Sequence, residues 1–260
     1  MPAPLFALPP ARMKTLAPWP YPRLAAHRGG GRLAPENTLA AMRTGLAHGF
    51  RMAEYDVKLS HDDVPVLLHD DTLDRTTDGR GPAAERTHGE LARLDAGSWH
   101  SAPYAGEPIP TLRAVARYTQ ANQIASNVEI KPCPGREAVT GARVTQAVRE
   151  LWHGAATPPL ISSFSEAALA ESARVAPELP RALLLEGPLP GDWLARLARH
   201  DCIALHMDQR HVDAEVARQV REAGYRLGAW TVNDLARADA LRAWQTDLIF
   251  TDELALIRPD

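Results

Sequence analysis

The sequence has few of the features that secreted and membrane-spanning proteins need. Only two cysteines, Cys133 and Cys202, occur in 260 residues, and neither belongs to a CxxC pair. A disulfide framework is therefore excluded, and a zinc site made of thiolates is not favoured. No apolar run approaches the ~20 residues that a transmembrane helix requires. We therefore expect a cytoplasmic protein with reduced thiols and no stable insertion into a membrane.

Neither sign of charge is in large excess. Lysine and arginine total 29 against 32 aspartates and glutamates, which gives a net charge of -3. This balance provides no basic surface for nucleic acid and no polybasic segment for a membrane, so neither is an expected partner. At 45% hydrophobic and 23% charged residues, the composition is that of a globular protein. The length suits one large α/β domain or two small ones, and the 10 histidines are enough to supply some for chemistry.

The N-terminal residues lack the unbroken apolar segment of a signal peptide. Seven prolines interrupt residues 1–22 instead. Because each proline fixes φ and removes a backbone donor, we predict an irregular, extended arm over residues 1–21. The domain itself is predicted over residues 22–260.

From residue 23 onward, short apolar runs alternate with patterns that are typical of helices. A strand followed by a helix, repeated about eight times, indicates a parallel sheet. We predict an α/β fold, a TIM (β/α)8 barrel. The alternative is a doubly wound open sheet, but Gly29-Gly30-Gly31 does not form the glycine-rich dinucleotide turn of that fold. The runs are five to eight residues long and nearly continuous in apolar character, as doubly buried strands are, and they lie at 23–27, 52–59, 64–69, 126–131, 160–164, 181–186, 202–207, 226–232 and 247–252.

One interval, about residues 70–110, breaks this alternation. It carries turn sequences such as Asp78-Gly79 and Gly81-Pro82 and shows no clear helix. A stretch of about forty residues without elements of its own usually indicates a functional insertion. We predict a small insertion here, after the second strand, where the loop of a barrel would carry substrate contacts.

Three acidic residues lie in predicted strands. Glu54 and Asp56 are separated by one residue, so both side chains point to the same side of a strand and repel each other unless a cation lies between them. Glu129 lies in the next strand after the insertion. A polar edge strand, or a surface pair between Glu129 and Lys131, is the alternative. Three carboxylates on neighbouring strands suit Mg²⁺ or Ca²⁺ as the cofactor rather than zinc.

Two histidines stand at the ends of predicted strands. His27 ends the first strand and precedes Arg28, and His69 ends the run at 64–69. Beside a metal, such a pair suggests an acid and a base on opposite sides of a reacting group, although a single histidine at a strand end is more often structural. Arg28 and Lys131 would bind an anionic centre. Because the chain has neither a P-loop nor a GxSxG motif, the residues indicate metal-assisted hydrolysis of a phosphate ester.

An ordered set of motifs resembles the glycerophosphodiester phosphodiesterase family. The resemblance runs from about residue 22 to the C-terminus, and AGEPIPTL and CIALHM suggest the cytosolic bacterial branch associated with glycerol-3-phosphate uptake. It implies a TIM barrel with a small insertion after the second strand. The motifs are AHRGGGRLAPENT, AEYDVKLSHDDVPVLLHDDTLDRTTDGRG, NVEIKP, ISSFS, AWTVND and IFTD.

The resemblance also implies roles for ten residues. Glu54, Asp56 and Glu129 would be metal ligands, and His27 and His69 would be the general acid–base pair. Substrate contacts would come from Arg28, Lys131, Glu36, Phe164 and Trp230. For Glu36 the alternative is an acid at a helix start, and for Phe164 and Trp230 it is a place in the barrel core.

The reaction implied is hydrolysis of a small-molecule glycerophosphodiester to sn-glycerol 3-phosphate and an alcohol such as choline, ethanolamine or glycerol. His27 is the preferred base and His69 the preferred acid. Either water or the substrate's own 2-hydroxyl, through a cyclic phosphate, would be the nucleophile. Two other functions stay open: a phospholipase D-like lyase that acts on lyso-lipids, and a non-catalytic phosphodiester-binding protein. The sequence leaves the oligomeric state undetermined.

Overall fold

The computed structural model describes residues 19–259, and nine strands occur within them. Eight of these strands run parallel, and β1 pairs with both β2 and β9, which closes the sheet into a barrel. The predicted TIM barrel is therefore confirmed, and an open sheet is excluded. The strands are β1 (Leu24–Ala26), β2 (Met52–Leu59), β3 (Pro65–Leu67), β4 (Ala125–Ile130), β5 (Leu160–Ser163), β6 (Arg181–Leu185), β7 (Ala204–Asp208), β8 (Arg226–Trp230) and β9 (Leu248–Thr251).

Helices connect the barrel strands on the outside. Asp213 and Asp234 each cap one of these helices, because each carboxylate accepts a hydrogen bond from the backbone N–H three residues later. None of the helices in the described part of the chain is long and apolar enough to cross a membrane. The helices are α1 (Leu39–Ala47), α2 (His88–Leu91), α3 (Leu112–Ala121), α4 (Glu137–Leu151), α5 (Glu166–Val175), α6 (Trp193–Arg199), α7 (Ala214–Glu222) and α8 (Leu235–Ala243).

Strand β3 lies outside the barrel. It pairs antiparallel with β2, with Leu67 opposite Val57, so the apolar run at 64–69 forms a hairpin and not a barrel strand. The backbone N–H of Leu68 donates to the carbonyl of Asp56 at 3.2 Å. Because the hairpin reverses the chain, it returns His69 to the level of Asp56 and does not carry it away from the barrel.

The predicted insertion follows β3 and has a hydrophobic cluster of its own. It contains α2, with a capping box formed by Thr87 and Glu90, and two single-turn 3-10 helices. At its start, the ammonium of the fully buried Lys58 donates to the carbonyl of Asp70 and lies 3.2 Å from the carboxylate of Asp71. This contact fixes the residues next to His69. The cluster consists of Val66, Leu68, Leu73, Ala83, Leu91, Ala96 and Ile109.

The N-terminal end of the barrel is closed by apolar side chains. Met52, Leu160 and Leu248 are fully buried there, and each contributes about 1.5–3 kcal/mol through burial. Tyr21 covers them, and its hydroxyl donates to the carbonyl of Pro158 at 2.9 Å. Of the predicted arm, residues 1–18 lie outside the described residues, whereas Trp19 contacts Tyr21 edge to face. The residues predicted for the site lie at the other end of the barrel.

Candidate active site

A cavity of about 720 Å³ opens at the carboxyl ends of the barrel strands. Parallel strands place their last residues at one rim, which is why residues far apart in sequence meet there. Glu36 lies beside the cavity and is paired with two arginines. The other nine residues that the sequence singled out line it: His27, Arg28, Glu54, Asp56, His69, Glu129, Lys131, Phe164 and Trp230.

Three carboxylates form the centre of this rim. Glu54, Asp56 and Glu129 are buried, and one oxygen from each lies within 4.8 Å of the others. The register of β2 and β4, with Asp56 directly opposite Glu129, produces this proximity. The buried Oε1 of Glu54 has no hydrogen-bond partner. A donor set of three carboxylates fits a hard divalent cation.

The electrostatics of the three acids also fit a cation. Burial raises the pKa of Glu54 to about 8, and the negative charge of Asp56 adds to the effect. Burial and the same neighbour raise the pKa of Glu129 to about 7. Burial also disfavours the charged form of Asp56, but Arg28, His69 and Lys131 outweigh it and lower the pKa of Asp56 to about 2. Two of the three carboxylates therefore need positive charge to ionise fully at neutral pH.

Asn37 holds Asp56 in place from both sides. Its Nδ2 donates to Oδ2 of Asp56 at 2.9 Å, and its Oδ1 accepts from the backbone N–H of Asp56 at 3.0 Å. Asn37 is buried and has a φ of 60°, a conformation that asparagine tolerates better than most residues. Sequence reasoning missed this residue, although it belongs to the PENT motif.

Two cations face the acids. The backbone N–H of Arg28 donates to Glu54 at 2.9 Å, and its Nε lies 3.6 Å from Asp56. Lys131 donates to Glu129 at 3.0 Å, and its Nζ lies 4.0 Å from Asp56. Burial opposes the charge of both groups, but the neighbouring carboxylates outweigh it and raise their pKa values. Both cations therefore stay charged next to the three carboxylates.

The mouth of the cavity is aromatic on one side. Phe164 and Trp230 contact each other edge to face, with ring centroids 5.4 Å apart. Nζ of Lys131 lies 5.0 Å above the ring of Phe164. Both residues line the cavity: Phe164 is exposed, whereas Trp230 is partly buried and also packs against the apolar cluster that closes the barrel.

His27 is held by an aspartate from the last barrel strand. Nδ1 of His27 lies 2.7 Å from Oδ1 of Asp252, and Oδ2 of Asp252 accepts from Asn233 at 2.8 Å. Burial lowers the pKa of His27, but the hydrogen bond to Asp252 and the charge of Glu54 outweigh it, so the pKa is raised. With Nδ1 engaged, Nε2 is the nitrogen directed at the acids, 3.8 Å from Glu54.

His69 is held in a corresponding way. Its Nδ1 lies 2.7 Å from Oδ1 of Asp70, and Arg75 donates to both Asp70 and Glu36. Burial and the charges of Arg28 and Lys131 lower the pKa of His69, against the raising effect of Asp56 and Asp70.

Glu36 completes this series of hydrogen-bonded side chains, because it also accepts a hydrogen bond from Arg28 at 2.7 Å. Glu36 therefore contacts two arginines beside the cavity and does not reach into the cavity itself. Sequence reasoning missed Asp70, Arg75, Asn233 and Asp252. For Asp70 and Arg75 the signal was their position in the motif that also contains Glu54 and His69, and for Asn233 and Asp252 it was their position in AWTVND and IFTD.

Comparison with known proteins identifies this arrangement. The model of the glycerophosphoryl diester phosphodiesterase family matches residues 27–256. This chain belongs to that family. The glycerophosphodiester phosphodiesterase of Caldanaerobacter subterraneus subsp. tengcongensis is similar to it, at 32% identity over 245 residues, which are 93% of this chain and 95% of that protein.

Solved structures agree with this assignment. An Oleispira antarctica phosphodiesterase in complex with the product sn-glycerol-3-phosphate matches with a TM-score of 0.85 at 38% identity, over 90% of this chain and 94% of that one. A glycerophosphodiester phosphodiesterase from Agrobacterium tumefaciens matches with a TM-score of 0.76 at 29% identity, over 90% of this chain and 98% of that one. The predicted family and enzyme class, a glycerophosphodiester phosphodiesterase, are thus confirmed.

Proposed function

We propose that this phosphodiesterase hydrolyses glycerophosphodiesters to sn-glycerol 3-phosphate and an alcohol by general acid–base catalysis with two histidines. One observation carries the proposal. His27 and His69 each have Nδ1 occupied by a carboxylate, and both line the cavity that contains the three clustered acids. Two oriented imidazoles next to a cation site supply the proton acceptor and donor that cleavage of a phosphodiester needs.

The phosphate would be held between positive charges. Glu54, Asp56 and Glu129 would hold a Mg²⁺ or Ca²⁺ ion, which would supply Lewis-acid chemistry to the phosphate. Arg28 and Lys131 bind the remaining oxygens, because both stay charged and face the same acids. Phe164 and Trp230 line the entrance through which the alcohol portion passes.

Proton transfer would use the two Nε2 atoms. Asp252 holds His27 with Nε2 free and stabilises the imidazolium that forms when this nitrogen takes a proton from the nucleophile. This pairing with Asp252 is the ground on which we assign His27 as the base. His69, held by Asp70, donates a proton to the leaving alkoxide.

A coupled assay for released sn-glycerol 3-phosphate tests this proposal. We expect release from glycerophosphocholine and glycerophosphoethanolamine with Mg²⁺ or Ca²⁺, loss of release with EDTA, and recovery when the ion is restored. Lysophosphatidylcholine serves as the comparison substrate, and its preferential cleavage to a cyclic phosphate would identify a lyase instead. Full activity after thorough chelation would contradict the metal site.

Single replacements test the acid–base pair. His27→Ala and His69→Ala should each lower kcat by about 10²–10⁴ while circular dichroism stays unchanged. Near-normal turnover in either variant would overturn the assignment of that histidine. We also propose a cytoplasmic location, which the buried free thiols of Cys133 and Cys202 support. Cell fractionation tests this location.

A further inference from the structure

A third histidine lines the cavity, and neither the metal site nor the acid–base pair uses it. His206 lies in β7, its side chain is fully buried, and neither ring nitrogen has a hydrogen-bond partner. Burial alone lowers its pKa to about 3, with no charged neighbour contributing. At neutral pH the ring is therefore neutral, with one donor nitrogen and one acceptor nitrogen.

The ring of His206 is fixed by its surroundings. It packs edge to face on Phe250 with centroids 5.0 Å apart. On the neighbouring strand, a Cβ atom added to Gly228 would lie only 2.5 Å from Cδ2 of His206, so glycine is needed there. Because the ring is wedged between these residues, it cannot turn far to find a partner within the protein. The cavity that the ring lines is the place from which a partner could reach it.

An unpaired imidazole in this position is costly. A buried donor or acceptor without a partner typically costs about 1–3 kcal/mol. Leucine or phenylalanine at this position would avoid that penalty. The retention of a polar ring is explained if something that occupies the cavity forms a hydrogen bond with it.

A second unpaired polar atom belongs to Asn127, which lines the same cavity. Asn127 precedes Glu129 by two residues on β4, so it points to the same side at a deeper level. Its Nδ2 donates to Oγ of Ser162 at 2.8 Å, which leaves the buried Oδ1 without a donor. Asn127 and His206 are almost completely buried, whereas Lys131 at the mouth is 25% exposed.

The chemistry of this deep region differs from that of the rim. Its polar groups are neutral, and the other deep residues include the apolar Leu184 and Phe250. A phosphate group fits the charged rim, and the trimethylammonium group of choline has no N–H to donate to the acceptor atoms of Asn127 and His206. A hydroxyl group both donates and accepts, and it therefore matches the oxygen of Asn127 and the nitrogens of His206.

We propose that His206 and Asn127 form a subsite that binds the hydroxyl groups of the substrate's glycerol moiety, the part that remains in sn-glycerol 3-phosphate. This inference rests on the proposed function, because it assigns the deep end of the cavity to the retained half of the diester. It makes His206 a specificity-determining residue. Substrates that lack the glycerol hydroxyls leave the two side chains unpaired and are disfavoured.

The subsite is tested by binding, independently of turnover. Calorimetry with Mg²⁺ present compares sn-glycerol 3-phosphate with propyl phosphate, which has the same carbon chain without hydroxyls. We expect the wild type to prefer sn-glycerol 3-phosphate. His206→Phe should reduce the ratio of the two affinities by about 10- to 100-fold, because roughly 1.4 kcal/mol corresponds to tenfold. His206→Gln, which can still form a hydrogen bond, should restore most of the preference.

A matched control removes an unpaired buried polar atom elsewhere. Thr145 in α4 is fully buried, and its Oγ1 has no partner, but it does not line the cavity. Thr145→Val should keep the wild-type ratio. If His206→Phe does not fold, as judged by circular dichroism, Asn127→Leu provides the same comparison.

Several results would overturn the subsite. They are an unchanged affinity ratio in His206→Phe or Asn127→Leu, equal affinity of the wild type for the two ligands, or no binding of either. Altered turnover of glycerophosphocholine with unaltered product binding would assign these residues to the leaving alcohol instead. A wild type that prefers sn-glycerol 3-phosphate but releases none from any glycerophosphodiester would refute the proposed function and leave the subsite standing.

Discussion

His27 and Asp252, 225 residues apart in sequence, are joined at 2.7 Å between Nδ1 and Oδ1. The closure of the barrel brings them together, because β1 pairs with β9 and each residue follows its strand directly. Asn233 donates to the second oxygen of Asp252 and accepts from its backbone N–H at 2.9 Å. The carboxylate therefore has a fixed orientation, and it in turn fixes which nitrogen of His27 faces the acids.

Replacement of Asp252 tests this relationship. Asp252→Asn should lower kcat by about 10²–10⁴, because an amide can present its N–H to Nδ1 and so favour the wrong tautomer of His27. Steady-state kinetics on glycerophosphocholine measure the loss. The neighbouring Glu253 pairs with Arg32 at the surface, so Glu253→Gln is the control and should keep wild-type kcat. Wild-type kcat in Asp252→Asn would show that the pairing is only structural.

The raised pKa values of Glu54 and Glu129 predict a pH-dependent affinity for the cation. With pKa values of about 8 and about 7, both groups hold protons in part of the metal-free population at neutral pH. Cation binding must release these protons, so the affinity for Mg²⁺ or Ca²⁺ should rise as the pH increases from 6 to 9. Calorimetry in buffers of different ionisation enthalpy measures the protons released.

The same experiment has a clear control. Glu54→Gln removes one ligand and should both weaken binding and reduce proton release, whereas Asp239→Asn in α8, exposed and paired with Arg242, should change neither. An affinity for the cation that is constant from pH 6 to 9 would contradict the raised pKa values.

Much of the site was predictable because parallel strands collect their ends at one rim. The spacing of Glu54 and Asp56 on one strand already places both side chains on one face, and Glu129 on the next barrel strand adds the third acid. The direction of β3 was not predictable. A short apolar run has the same pattern in a barrel strand and in a hairpin, and only pairing with β2 distinguishes them.

The groups that orient the histidines were not predictable for a different reason. The carboxylate on His27 arrives from the last strand of the barrel, and the guanidinium of Arg75 meets Glu36 across 39 residues of chain. Hydrogen-bond partners of this kind depend on side-chain directions in the closed barrel. No periodicity or spacing in the sequence encodes them.

Arg75 is predicted to act on catalysis through His69. It donates to Asp70 at 2.7 Å and to Glu36 at 2.7 Å, so one guanidinium links the partner of His69 to the partner of Arg28. Arg75→Met should lower kcat/KM by about fivefold, the equivalent of about 1 kcal/mol for a partly exposed ion pair. Arg75→Lys should recover only part of the lost kcat/KM, because an ammonium group cannot bind both carboxylates in the same geometry.

The pH profile distinguishes this role from a purely structural one. Without Arg75, the negative charge of Asp70 is no longer offset, so the pKa of His69 should rise. In a plot of kcat/KM against pH, the limb that reports the titration of His69 should then move to higher pH. Arg80→Met is the control, because Arg80 is another exposed arginine of the insertion and faces Asp74 at 3.8 Å. An unshifted profile in Arg75→Met would refute the coupling to His69.

His206 should make the free energy of unfolding depend on pH. The folded protein keeps this ring neutral down to a pKa of about 3, whereas the unfolded chain takes up a proton near 6.5. Below pH ~6.5 the unfolded state therefore binds more protons than the folded state. The contribution of His206 to the free energy of unfolding is fully retained above pH ~6.5 and falls as the pH drops below that value, by up to ~1.4 kcal/mol per pH unit. Urea unfolding of the wild type and His206→Phe at pH 7, 6 and 5 measures the difference in slope.

The comparison isolates one group, because other titrating residues contribute equally to both proteins. His206→Phe should show a shallower loss of stability on acidification, whatever its absolute stability at pH 7. His153 is exposed, and His153→Gln should retain the slope of the wild type. Parallel curves for wild type and His206→Phe would mean that the ring is protonated inside the folded barrel.

The glycine turn after His27 is predicted to protect the pairing with Asp252. Gly31 has a φ of 53°, and a Cβ atom there would lie 2.2 Å from the carbonyl oxygen of Asp252.

Gly49 has a φ of 87°, but a Cβ atom there would meet nothing within 4 Å. Gly49→Ala should therefore cost only the backbone strain, about 1–2 kcal/mol, and keep wild-type kcat. Gly31→Ala must also displace Asp252, so it should lose more stability and lower kcat as Asp252→Asn does. Thermal unfolding and steady-state kinetics on the two variants check both effects, and equal losses in Gly31→Ala and Gly49→Ala would show that the turn is required for its conformation alone.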